Sequence, residues 1–159
     1  MQYYAIDLGT TNSVVARWDD KDKTPELIEL PGISRGMQEH QVIENQYAIP
    51  SVVFLGDIKR FLFFKKQELQ IGFQALDRHS FSANHRYINN FKPYLLSDGS
   101  KVLTKIGSAA YSATKVARLF LEEIFKKVKN NYGKRPESIT FSVRSEERRV
   151  GKECRSRGS

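Results

Sequence analysis

The sequence predicts an α/β fold, and three observations carry that prediction. Three short strand-like runs follow one another closely at the start of the chain. One long amphipathic helix lies near residues 107–130. A last β-rich run follows that helix. Closely spaced strands pair antiparallel, because a hairpin needs only a few residues to turn. A strand that follows a long helix can return parallel to a neighbour, because the helix supplies the crossover.

The first strand is predicted from Tyr3 to Asp7 and the second from Ser13 to Asp19. The polar run Asp19-Asp20-Lys21-Asp22-Lys23 then turns the chain into a third strand, Glu26 to Leu30, whose polar and apolar positions alternate. Residues 31–46 are polar and without period, and read as a loop. Ile49 to Leu55 (IPSVVFL) is β-rich, Gly56-Asp57 punctuates it, and Arg60 to Lys65 (RFLFFK) reads as a further strand. Ile71 to His79 reads as a short helix around Gly72. Tyr87 to Leu96 contains Pro93, and proline disfavours the α conformation of the residue before it. A helix there is expected to end or bend near Lys92. In the long helix, Ala113, Val116, Ala117, Phe120, Ile124 and Val128 form one apolar stripe. Ser108 is the predicted N-cap. Lys126, Lys127 and Lys129 suit its C-terminal end, and Gly133 and Pro136 stop it. Ser138 to Val143 (SITFSV) is expected to be a short buried strand.

Composition narrows the function. The chain has 159 residues, enough for one ordinary domain with a core. No apolar run approaches the roughly 20 residues of a membrane span, and the start, MQYYAIDLG, lacks the basic and apolar regions of a secretory signal. No membrane partner is expected. The one cysteine, Cys154, cannot form an internal disulfide, which favours a reducing cytoplasm. The net charge of +8 points to an anionic partner. Arg144 to Ser159 holds six Lys/Arg against three Asp/Glu, so the tail carries +3 and the other 143 residues +5. That milder excess is scattered, apart from the lysines at the end of the long helix. No nucleic-acid-binding motif accompanies it, and no nucleic-acid partner is expected. His40, His79 and His85 are too scattered for a ligand set. Glu122 and Glu123 read as solvated partners of the helix lysines.

The stretch Ala5 to Asp19 (AIDLGTTNSVVARWD) concentrates chemistry at a turn. Converging backbone amides at a tight turn make an anion-binding nest. Glycine lets the backbone approach closely. Thr10 and Thr11 add hydroxyl donors. A carboxylate at a strand end, Asp7, can orient the waters of Mg²⁺, which keeps much of its hydration shell. The pattern is not a P-loop, since no GxxxxGK[ST] occurs. An ordinary glycine-containing β-turn would use some of the same residues.

IDLGTTNSVVA strongly resembles the first phosphate-binding hairpin of the actin-like ATPase superfamily, and more narrowly that of the seventy-kilodalton heat-shock chaperones. Ile49-Pro50-Ser51-Val52-Val53 resembles that family's PSVV strand. Ile71-Gly72-Phe73-Gln74-Ala75 resembles its GxxA helix start, and Asn90-Phe91-Lys92 the segment carrying its catalytic lysine. The helix from Ser108 and the strand from Ser138 resemble the elements that close its first lobe. The landmarks span residues 2–143.

The resemblance implies a ribonuclease-H-like first lobe with a smaller α+β subdomain inserted at about residues 31–106. It implies ATP or ADP as ligand, with Mg²⁺. Gly9, Thr10, Thr11 and Asn12 would bind phosphates, Asp7 would hold the metal through water, and Lys92 would be a catalytic point charge on the β- and γ-phosphates. In this family the nucleotide lies between two lobes, and the second lobe and the peptide-binding domain come later. The full-length parent is therefore expected to couple ATP hydrolysis to binding and release of unfolded polypeptides, with co-chaperones. This chain is expected to bind ATP weakly and to hydrolyse it negligibly. A sugar kinase or a filament-forming actin-like protein shares the hairpin, and both stay open as alternatives. Pro93 after Lys92 and the long loop 31–46 depart from the family pattern and imply a divergent branch. The run Arg144 to Arg157 resembles the conceptual translation of a sequencing-adapter oligonucleotide, so residues 144–159 are read as a non-native tail and Cys154 as without meaning.

Overall fold

The computed structural model describes residues 3–36, 45–61, 64–79, 86–133 and 138–142. They form a mixed α/β structure with mixed sheets and three helices among the described residues. The tail from Arg144, Cys154 within it, His40 and His85 lie outside the described residues, as does the side chain of His79.

The main sheet starts from the predicted hairpin. Strand β1 (Tyr3–Leu8) pairs antiparallel with β2 (Asn12–Asp19), with Ile6 opposite Val15 and Leu8 opposite Ser13. Strand β3 (Thr24–Leu27) continues the meander, antiparallel to β2. It ends before the predicted Leu30. Ile28 and Leu30 leave the strand but are buried at 2% and 0%, so they pack as core residues rather than as a pleated row. The short β4 (Ile49–Pro50) lies against the start of β2, with Asn12 opposite Pro50.

A second sheet joins β5 (Val53–Phe61), β6 (Phe64–Ile71) and β7 (Tyr87–Ile88), all antiparallel. Here three expectations need correction. Ile49 to Leu55 is not one strand: β4 ends at Pro50 in the main sheet and β5 starts at Val53 in the second. Gly56-Asp57 does not end a strand; β5 runs through it with a register shift between Leu55 and Ile58. A bulge absorbs one extra residue without breaking the ladder. The run Arg60 to Lys65 is not one strand but straddles the end of β5 and the start of β6, with Phe61 opposite Phe64. Helix α1 (Gly72–His79) follows β6 as predicted.

Helix α2 (Lys92–Ser97) reverses the expectation for Pro93. The proline lies in the first turn, where its missing amide costs no hydrogen bond and its fixed φ favours helix. It starts the helix instead of ending it. Strands β8 (Val102–Ile106) and β9 (Ala109–Ser112) form a separate hairpin. Residues 107–112 were expected to be helical. Gly107 instead takes φ +57 in the hairpin turn, a conformation open to glycine at no steric cost.

Helix α3 (Ala113–Tyr132) is capped by Ser112, not Ser108: the Ser112 hydroxyl accepts from the Lys115 amide at 3.3 Å. Gly133 closes it in the left-handed conformation. The predicted stripe is the buried face, with Phe120 and Ile124 at 0% exposure. It shares one core with Tyr4, Ile6, Leu8 and Val15. Strand β10 (Ser138–Ser142) then pairs parallel with β1, Ile6 opposite Phe141. The helix thus does connect into a parallel pair, but the partner is β1 and not the strand just before the helix. Phe141 meets Phe125 of α3 edge-on at 6.5 Å between centroids. β10 is largely exposed rather than buried, with Phe141 at 46%. Alternation puts Tyr3, Ala5 and Asp7 on the sheet face away from this core.

Candidate functional site

The β1–β2 connection, Gly9 to Thr11, is built from the two strands and fastened by a third segment. Asp7 is half-buried and opposite Val14. Thr10 and Asn12 are half-buried and Thr11 is exposed. Neither threonine belongs to the packed core. The Asn12 side-chain oxygen is buried and meets no donor among the described residues.

Gly9 is required by space. A Cβ built on it would lie 2.0 Å from the backbone oxygen of Asn12, closer than any real contact. The tip folds so tightly that its first and fourth residues touch.

The carbonyls of this tip are tied down. The Ser51 amide donates to the Thr11 carbonyl at 2.8 Å, and the Ser51 hydroxyl donates to the Gly9 carbonyl at 2.8 Å. Every described peptide bond is trans. In a trans peptide the N–H points opposite to the C=O. With the carbonyls of Gly9 and Thr11 drawn toward Ser51, the amides of Thr10 and Asn12 point away from it. The hydrogen bonds of the described loops and turns include no donation from the Thr10 or Thr11 amide. This arrangement leaves donors at the tip for an external acceptor. The same connection and the strand ends beside it carry two threonine hydroxyls, the Asn12 oxygen and the Asp7 carboxylate.

The donor set sets limits on a cation. Among the described residues no group of three or more His, Cys, Asp or Glu could hold a metal. A single carboxylate with hydroxyls cannot cage Ca²⁺ or Zn²⁺. It does fit Mg²⁺, which is held mainly by water and phosphate oxygens. An acceptor such as the Asn12 oxygen suits the proton of a metal-bound water.

Lys92 sits on another element, the first turn of α2, and exposes only 4% of its surface. Its neighbour Phe91 anchors this turn to α3, its ring 5.6 Å from that of Phe120. A groove of about 250 Å³ beside α2 is lined by Tyr87, Asn89, Asn90, Tyr94 and Thr104, and by none of the hairpin residues. Thus the structure brings Asp7, Gly9, Thr10, Thr11 and Asn12 together at one sheet end and places Lys92 in the packed base of a second element.

Sequence reasoning gave Ser51 and Ser13 no role. Both are buried at 1%, and their hydroxyls lie 2.9 Å apart. The signal was present: alternation puts Ser13 on the same face as buried Val15, and Ser51 interrupts an apolar run. A buried hydroxyl needs a partner, and each serine is the other's.

No protein-family model matches the chain, and no curated protein matches it either. No helix among the described residues is long and apolar enough to cross a membrane.

Proposed function

We propose that this chain is the phosphate-binding lobe of an actin-like ATPase of the heat-shock chaperone type, with a ribonuclease-H-like sheet. Its ligand is ATP or ADP with Mg²⁺. The observation that carries the reading is the tied tip: with the carbonyls of Gly9 and Thr11 bonded to Ser51, the Thr10 amide points away from Ser51 and, among the hydrogen bonds of the described loops and turns, donates to none, so it can meet an anion. The surplus of positive charge, +5 outside the tail from Arg144, is of the sign that favours the same ligand class.

In this reading the amides and hydroxyls of Thr10 and Thr11 bind the phosphates, with Asn12 beside them. Asp7 orients water on Mg²⁺, which offsets phosphate charge when bound. Lys92 carries the greatest structural demand. The residue is buried, at 4% exposure, and in this reading its charge meets a β- or γ-phosphate. The parent protein, in the cytoplasm, uses the ATP cycle to hold and release unfolded polypeptides with co-chaperones. This chain alone binds nucleotide weakly and turns it over negligibly.

An NMR titration of the 159-residue chain with MgATP tests the reading. Amide shifts concentrated at Thr10, Thr11 and Asn12 are expected, with weak saturation. The same shifts are expected with inorganic tripolyphosphate, because the phosphates supply the contacts. No shift at these amides with either probe, or robust ATP turnover, overturns it.

A further inference from the structure

The two serines beneath the hairpin have a defined order. The Ser51 hydroxyl donates to the Gly9 carbonyl at 2.8 Å and lies 2.9 Å from the Ser13 hydroxyl. A hydroxyl has one proton to give. Since Ser51 gives its proton to Gly9, Ser13 is the donor in the serine pair. The result is a one-way relay, Ser13 to Ser51 to the Gly9 carbonyl, in which each bond polarises the next. The Ser51 amide adds a second anchor on the Thr11 carbonyl, 2.8 Å away. One residue therefore fixes two tip carbonyls at once.

This relay is uncharged and 1% exposed at each serine. Ser51 is buried and its hydroxyl is engaged with Ser13 and the Gly9 carbonyl. We propose that Ser51, backed by Ser13, is a positioning residue that sets the direction of the Thr10 and Asn12 amides and so the affinity of the tip for phosphate. The inference rests on the phosphate reading above and goes further by assigning its geometry to residues outside the hairpin tip.

Preorganised donors bind more tightly than donors that must be ordered on binding. Loss of the Ser51 hydroxyl frees the Gly9 carbonyl and lets the first peptide of the tip rotate. Loss of the Ser13 hydroxyl leaves the Ser51–Gly9 bond in place. The two truncations are chemically identical and similarly buried, yet they should differ in their effect on the ligand.

The test compares Ser51→Ala and Ser13→Ala in the full chain, using tripolyphosphate and MgATP as probes. Both variants are measured well below their melting temperatures, so that only folded protein is compared. Ser51→Ala is expected to weaken both probes by about tenfold, the equivalent of roughly one net hydrogen bond. Ser13→Ala is expected to stay within about threefold of wild type. Ser51→Cys, which fills the same space with a weaker donor, is expected to fall between them. It replaces Ser51→Ala as the decisive variant if the alanine protein does not fold. Both Ser51 variants binding like wild type, with only their melting temperatures lowered, would mean a purely structural role and overturns the proposal. Wild-type chain that binds neither probe overturns the phosphate reading itself, and this inference with it.

Discussion

Two hairpins in this protein turn on a glycine, and they use it for opposite reasons. In the β8–β9 hairpin, Gly107 has φ +57 and open space where a side chain would point. The residue is there for its backbone conformation alone. In the β1–β2 hairpin, Gly9 is not among the residues with positive φ, but a Cβ on it would run into the Asn12 backbone at 2.0 Å. The first is an ordinary turn at the surface. The second is compressed and pinned by a buried serine that holds two of its carbonyls. A turn needed only to reverse the chain has no use for that second layer.

Alanine at each glycine should separate the two turns by the largest effect. Gly9→Ala must push the tip apart, and such overpacking costs about 2–3 kcal/mol. Gly107→Ala meets no atom and carries only the left-handed penalty, about 1–2 kcal/mol. In a chain of this size each kcal/mol lowers the melting temperature by about 2–4 °C. Thermal melts should rank the two variants in that order. The sharper readout is tripolyphosphate binding, expected to be lost in Gly9→Ala and retained in Gly107→Ala. Equal binding by both would make the two turns equivalent.

A smaller effect is expected at the start of α3, which holds the sheet beneath the first hairpin and begins at the end of the second. Ser112→Ala removes the acceptor for the Lys115 amide and should cost about 1 kcal/mol. The matching change Ser108→Ala should cost almost nothing, because Ser108 sits in the hairpin turn rather than at the cap. Urea denaturation of the two variants separates them. It also checks the correction to the helix start, since a helix beginning at Gly107 would reverse the ranking.

These positions show what the sequence displayed and what it hid. The α3 stripe from Ala113 to Val128 was legible because six apolar residues at helical spacing have no other explanation. The β1–β2 pairing was legible because both strands are short, apolar and close together. The helix start was not. Gly107-Ser108 reads equally well as a cap or as a hairpin turn, and the choice is made by β8, which needs β9 to pair with. Pro93 was misread because the rule for the residue before proline was weighed above the preference of proline for a helix's first turn. The tip residues themselves were legible from their types. Their fastening was not, because Ser51 lies 42 positions from Gly9 and only the fold brings it there. The burial of Lys92 was not legible either: in a segment of mixed apolar and polar residues a lysine is ordinarily exposed, and only the fold packs its neighbour Phe91 into the core.

The smallest effect separates the tip from a third turn, at Asp19, which is also fastened by a side chain. Its carboxylate accepts from the amides of Lys21 at 2.7 Å and Asp22 at 3.2 Å. These two backbone bonds, the Lys21 amide first, hold the Asp19 carboxyl below the ordinary aspartate value. The sign follows from linkage. A carboxyl more acidic in the folded state binds fewer protons there than in the unfolded chain. Its stabilisation is complete above the unfolded aspartate value, about 3.9, and is lost as the pH falls through the lower, folded one. Asp19→Asn should therefore melt slightly below wild type at neutral pH, and the gap should close in acid. Asp19 is only partly buried, so the gap should also shrink in salt. The serine relay under the Gly9 tip contains nothing that titrates in this range. Phosphate binding by wild type and Asp19→Asn should consequently follow one and the same pH curve. If Asp19→Asn shifted that curve, the two turns would be coupled, and the tip's geometry could not be credited to Ser51 alone.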